Sequence, residues 1–200
     1  IDGDMCVICD DDGVLGLGGV MGGEPSGVTG DTVNVFIESA LFDPVRTAAT
    51  GRRLGINSDA RYRFERGVDP AFARPGMEVA TRLVLSLCGG EPSEVVIAGA
   101  EPHWRRDVAF RPMRVHQLGG LDLPEAEQVR ILGALGFDCK PGTEVLQVGV
   151  PSWRSDVDGE ADLVEEICRV HGYDAIPAMP LPSLVVVAKP ALDPGQKRVR

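Results

Sequence analysis

Four carboxylates in the last quarter of the chain stand close enough to act together. Asp162, Glu165 and Glu166 fall at i, i+3 and i+4 of a stretch with helical spacing, so they share one face, and Asp156 lies just before it. Hard oxygen ligands grouped in this way suit magnesium. The same residues also make a solvated acidic first turn that complements a helix dipole, and spacing alone favours that plainer reading. A fifth carboxylate, Glu38, ends the apolar run Val33 to Glu38 downstream of a glycine-rich turn. Taken by itself, a carboxylate at such a strand end accepts backbone hydrogen bonds.

Positive charge gathers in one place. Arg46, Arg52, Arg53, Arg61, Arg63, Arg66 and Arg74 stand against only Asp59, Glu65 and Asp69, in a chain whose net charge is -10. Such a patch fits an anion or RNA phosphate, or arginines that pair with nearby carboxylates and hold two helices together. The acidic balance of the whole argues against a free-standing nucleic-acid binder.

The run Gly16, Gly18, Gly19, Gly22, Gly23 approaches a dinucleotide fingerprint, but Pro25, Gly27 and Gly30 break the chain where a helix should follow. Glycines at this density let the backbone approach a ligand or another strand. Cys6 and Cys9 form a Cys-x-x-Cys with no second pair, so a structural zinc lacks ligands. On a strand the two thiols point to opposite faces, and the five cysteines read as free and mostly buried, which suits a reducing cytoplasm.

These residues must be positioned by an α+β arrangement. Asp11-Asp12-Gly13 between Asp4 to Asp10 and Val14 to Gly18 predicts a hairpin, and Val33 to Glu38 the next strand. Asp43-Pro44 predicts a helix start and Gly55 its stop; Ser58 predicts a second N-cap, with helices over 44–54, 59–66 and 75–88. Two helix starts so close leave free backbone N–H groups at one corner, which suits a carboxyl ester or a phosphate. Val79, Leu83 and Leu87 predict the buried face of the third helix, and Val95 to Ile97 a closing strand.

The charged break at Glu101-Pro-His-Trp-Arg-Arg106 marks a boundary. Beyond it come a strand at Val108 to Phe110, a helical turn at Val115 to Leu118, a helix at Pro124 to Leu135, a strand at Glu144 to Val150 and a last helix at Gly159 to Val170. This smaller helical unit resembles a winged helix-turn-helix, yet neither helix carries a basic face, so DNA binding is not read from it. The expected domains are 1–104, 105–180 and a linker with the start of a further domain at 181–200. Hydrophobic content of 44% is enough for a packed core. No apolar run approaches a membrane span, no signal peptide is visible, and the chain reads as a piece of a longer polypeptide.

The longer motifs carry a family resemblance. Gly19-Val-Met-Gly-Gly-Glu-Pro-Ser-Gly27, Phe36-Ile-Glu-Ser-Ala-Leu-Phe-Asp-Pro44 and Arg52 to Pro70 closely resemble the B3/B4 editing module of the bacterial phenylalanyl-tRNA synthetase beta subunit. Pro151-Ser-Trp-Arg-Ser-Asp156 and Asp162 to Asp174 resemble the B5 module of the same subunit. The resemblance implies a segment of an enzyme that joins phenylalanine to tRNA(Phe) with ATP and Mg2+ as a cytoplasmic (αβ)2 tetramer with its alpha subunit, ATP being bound elsewhere. It also implies proofreading of tyrosyl-tRNA. Glu38 would read the tyrosine hydroxyl, Gly22, Ser58 and Ala60 would line the pocket, and Asp156, Asp162, Glu165 and Glu166 would hold Mg2+ shared with the alpha subunit. The family usually carries threonine at the position of Ser58, so this chain keeps the hydroxyl and loses a methyl. Its editing histidine lies upstream of the matched segment, whereas the histidines here are His103, His116 and His171, so the editing site is incomplete and no catalytic residue is assigned. The alternative is a non-catalytic binding or interface module on the same fold.

Overall fold

The computed structural model describes residues 1–100, 102–142 and 144–179. Its elements are α+β throughout, and they form two sheets. The first is small: β1 (Val7–Cys9), β2 (Val14–Leu17) and β3 (Met21–Gly22) pair antiparallel in the order β1-β2-β3. The predicted hairpin forms because the Asp10 carboxylate accepts hydrogen bonds from the Asp12 and Gly13 N–H groups, each 3.0 Å, and closes the turn. The glycines serve close strand approach: a Cβ on Gly23 would lie 2.5 Å from the Leu15 carbonyl oxygen.

Helix α1 (Pro44–Leu54) is bounded as its residues dictate. Asp43 accepts from the Arg46 N–H at 2.7 Å, Pro44 follows at the first position, and Gly55 ends the helix at φ 65°, a left-handed conformation that costs glycine little. Ser58 caps α2 (Asp59–Phe64) by accepting from the Arg61 N–H at 3.1 Å. The Arg61 side chain lies across Gly51 and donates to the Ile56 carbonyl at 2.6 Å and to Glu65 at 3.0 Å, which locks α1 against α2. A 3-10 turn at Pro70–Phe72 leads into α3 (Ala73–Cys88).

Two expectations fail here for one reason. Residues 33–38 and 95–97 form no strand, and the expected inward face of α3 is open, with Val79, Leu83 and Leu87 at 47%, 57% and 74% exposure. A strand needs a ladder partner and an amphipathic face needs a facing element. The described residues supply neither.

The second sheet has β4 (Arg106–Phe110), β5 (Asp138–Lys140) and β6 (Leu146–Val150) in the antiparallel order β4-β6-β5. The register pairs Val108 with Val148 and Phe110 with Leu146, so alternate residues point to one core. Helices α4 (Met113–Gly119), α5 (Glu125–Ala134) and α6 (Glu160–His171) cover that face, burying Val115, Ile131, Leu132, Leu163 and Ile167. Of the expected inward residues of α5, Leu132 is fully buried and Val129 and Leu135 pack at the edge of the core. Strand β5 was not anticipated, because three residues are too few to show alternation.

Helix α4 meets α6 at a glycine. A Cβ on Gly119 would sit 2.5 Å from the Cys168 sulfur. Gly119→Ala is expected to destabilise the chain by about 1–3 kcal/mol through overpacking. Urea unfolding is expected to show a lower midpoint at unchanged slope, and Gly119→Ala combined with Cys168→Ala is expected to recover most of the loss.

Candidate functional site

Phe42 is the residue that turns the first sheet and the α1–α2 corner into a site. Its ring meets Phe64 edge-on, with centroids 5.2 Å apart, and it rests against Gly18 and Gly19. A Cβ on Gly18 would lie 2.7 Å from the Phe42 ring, so only glycine admits this closure. A cavity of about 720 Å3 opens beside the aromatic pair, lined by Gly19, Gly22, Glu38, Ala60, Phe64 and Phe72 among others. That volume lies within the range of roughly 300–1,000 Å3 common for small-molecule sites.

Three of the four expected pocket residues meet in this cavity: Gly22, Glu38 and Ala60. Gly22 is not demanded by packing, since a Cβ there would meet nothing within 4 Å. Its missing side chain leaves cavity space open. Glu38 accepts no hydrogen bond and forms no ion pair among the described residues, contrary to its plain reading as a backbone acceptor. It is an exposed residue at the mouth of the cavity, and the partial desolvation by its neighbours there raises its pKa above the ordinary carboxylate value.

Ser58 is placed differently. Its hydroxyl donates to the Val20 carbonyl at 2.5 Å while accepting from Arg61, and it is not among the lining residues. It ties β3's approach to the start of α2, so it acts behind the cavity wall. Of the arginine cluster, Arg53 pairs with Asp2, Arg61 and Arg66 with Glu65, and Arg74 with Glu78. Arg66 also lies 3.7 Å over the Tyr62 ring. The pairing reading therefore accounts for four of the seven, and Arg46, Arg52 and Arg63 are left without side-chain partners among the described residues.

The acidic set of the second unit is not gathered around an empty centre. Arg154 forks onto Asp156 at 2.8 and 2.7 Å and reaches Glu166 at 3.0 Å, and Arg169 adds a 2.7 Å bond to Glu166. Asp162 accepts from the Asp158 and Gly159 N–H groups, both 2.9 Å, as the cap of α6. Glu165 is exposed and unpaired among the described residues. No group of three or more ligand side chains there is arranged to hold a metal ion. The set as it stands does not fit Mg2+: a guanidinium supplies the positive charge that the cation would bring. Sequence could not reveal this, because Arg154 and Glu166 lie twelve residues apart with a turn between them. The five cysteines are free, but Cys9 and Cys88 are exposed and only Cys168 is buried, fewer than expected.

The first unit is thus a glycine-floored cavity with one unpaired carboxylate, and the second an arginine-neutralised acidic helix. Residues 1–89 match the family model of the B3/4 domain and residues 108–173 that of the tRNA synthetase B5 domain. The chain is a tRNA synthetase segment built from these two domains. Over its whole length it belongs with the beta subunits of phenylalanine–tRNA ligase. It is 56% identical over 200 residues to the phenylalanine–tRNA ligase beta subunit of Rhodospirillum rubrum, covering 100% of this chain and 25% of that protein. It is 53% identical over 198 residues to that of Paramagnetospirillum magneticum, covering 99% and 25%. The chain thus spans about a quarter of the length of the curated relatives it matches. The expected segment beyond residue 180 lies outside the described residues, and among those described no helix is long and apolar enough to cross a membrane.

Two measurements test the acidic set. Calorimetric titration of the chain with Mg2+ is expected to show no saturable site below about 1 mM, since Mg2+ keeps its waters and binds weakly to carboxylates already paired. A tight site would overturn the assignment. The Arg154 hydrogen bonds hold Asp156 below its ordinary pKa; Glu166 is held low first by Arg169 and also by Arg154. Carboxylates depressed in the folded state stabilise it above their unfolded pKa values and cease to as pH falls through the folded ones. The melting temperature is therefore expected to drop on acidification below about pH 4, and to drop less steeply in Arg154→Met, which starts lower.

Proposed function

We propose that the first unit is a hydrolytic proofreading site acting on tyrosine wrongly esterified to tRNA(Phe). The observation that carries this reading is the unpaired carboxylate of Glu38 at the mouth of a largely apolar cavity, where a bound amino acid would cover it. A tyrosine side chain entering it would offer its phenol O–H to that carboxylate. Phenylalanine would leave the carboxylate desolvated and unpaired, a difference of about 1–3 kcal/mol. The need for a second site is chemical: an apolar synthetic pocket discriminates weakly against a substrate that adds only a hydroxyl.

No histidine or cysteine lines the cavity among the described residues, and no nucleophile–base pair is present there. The proposed chemistry is attack of a positioned water on the ester carbonyl carbon. The acyl–oxygen bond breaks, and the ribose oxygen leaves with a proton. The chain's part is to bind and orient the amino acid, with backbone groups and the substrate's own hydroxyls placing the water.

Within this reading the complete protein charges tRNA(Phe) with phenylalanine at the expense of ATP. It works in the cytoplasm as an (αβ)2 tetramer, synthesis belonging to the alpha subunit. The names of the similar proteins and the two matched domains support the charging of tRNA(Phe) by a protein with a second kind of subunit. The second unit, read as winged-helix-like, would brace the interface with the alpha subunit. For Asp156, Asp162, Glu165 and Glu166 to hold Mg2+ there, that partner would have to rearrange the set, releasing Asp156 and Glu166 from their arginines and Asp162 from its cap.

Glu38→Ala, made in the complete enzyme, is expected to slow hydrolysis of tyrosyl-tRNA about tenfold or more while charging with phenylalanine stays near normal. Gly22→Val is expected to cause a similar loss by filling cavity space, with no backbone strain. Unchanged tyrosyl-tRNA hydrolysis in Glu38→Ala would make the carboxylate incidental and favour a binding module without chemistry.

A further inference from the structure

Glu38 sits on a segment with little to hold it. Residues 33–43 form neither helix nor strand, and among the described residues no backbone N–H or C=O from 33 to 42 makes a hydrogen bond. Val33 and Phe36 project into solvent at 89% and 91% exposure. Such a segment would sample many conformations if nothing fixed it. A carboxylate that tells two amino acids apart by one hydrogen bond must instead be held within about 0.5 Å.

Ile37, just before the exposed Glu38, is half-buried, and two specific contacts add restraint on the C-terminal side. The first is the Phe42 ring seated on Gly18 and Gly19 against Phe64. It is four residues away and leaves several torsions free. The second is adjacent: the Ser39 hydroxyl donates to the Ala73 carbonyl at 2.6 Å, linking the segment to the first turn of α3. Gly76, one turn further along α3, faces the same hydroxyl, a Cβ there lying 3.6 Å from the Ser39 Oγ. Ser39, Ala73 and Gly76 all line the cavity with Glu38. The Ser39 bond is thus the one side-chain hydrogen bond that ties residues 33–42 to the rest of the described chain.

We propose that Ser39 is a positioning residue for Glu38: its bond to Ala73 sets the direction in which the neighbouring carboxylate enters the cavity. This rests on the proofreading reading of Glu38. Ser39 need not touch the substrate. Its hydroxyl acts through the backbone it anchors, and α3 takes part in proofreading by presenting that carbonyl.

The test is a set of variants in the complete enzyme, assayed for hydrolysis of tyrosyl-tRNA and for charging with phenylalanine. Ser39→Ala is expected to lower kcat/KM for hydrolysis about tenfold, with charging and the melting temperature little changed. Ser39→Thr, which keeps the hydroxyl, is expected to retain most of the activity. In a Glu38→Ala background, Ser39→Ala is expected to add less than about twofold, because a residue acting through Glu38 has nothing left to orient. An equal loss in both backgrounds, or no loss in Ser39→Ala while Glu38→Ala is impaired, would overturn the role of Ser39 alone. No loss in Glu38→Ala itself would overturn the proofreading reading and this role with it.

Discussion

The first unit depends on one contact, the closure of the Phe42 ring onto two consecutive glycines. Gly18 and Gly19 follow β2, and any side chain at Gly18 would meet the ring at 2.7 Å. The contact brings the irregular segment after the first sheet back over the sheet, against Phe64 of α2. Without it, Glu38 and Ala60 would lie on separate parts of the chain with no shared cavity. A backbone stripped of side chains is here the surface on which an aromatic core forms.

The second unit depends on charge. Arg154 joins the loop before α6 to Asp156 and, with Arg169, to the buried carboxylate of Glu166. Its carbonyl also accepts from Arg106 at the start of β4. A buried carboxylate without such partners is strongly unfavourable, so the arginines are part of what allows α6 to pack as it does. Arg111, in the turn between β4 and α4, forks onto Glu160 at the helix start, at 2.8 and 2.7 Å, and Arg114 of α4 pairs with the same carboxylate at 3.4 Å. Of the four carboxylates that the family resemblance implies as metal ligands, Asp156 and Glu166 are paired to arginines in this fold, and Asp162 caps the helix. The two units touch where Ser155, between these charged residues, donates to the Arg66 carbonyl at 3.1 Å beside Gly67.

Much of the architecture was legible in the residues. The caps at Asp43, Gly55 and Ser58, the hairpin at Asp10 to Gly13, and the helices of both units stand where their local chemistry places them. Those signals act over a few residues, through a side chain and a backbone N–H three positions on. The cavity was legible only through long motifs shared with a known family, which pointed to Gly22, Glu38 and Ala60. Ser58 was legible as a cap, and the structure places it as a cap behind the wall.

What the chain could determine by itself is therefore whatever is settled locally: helix boundaries, turns, and the alternating core of β4 and β6. What only the tertiary structure decided is partnership. Val33 to Glu38 and the apolar face of α3 carry correct local patterns, yet a strand or a buried face exists only if a distant segment comes to meet it. Glu38 and Glu166 are the same residue type on similar apolar stretches. One is left unpaired in a cavity and the other is held by two arginines, because ion pairs and desolvation depend on which remote groups the fold brings within about 3 Å.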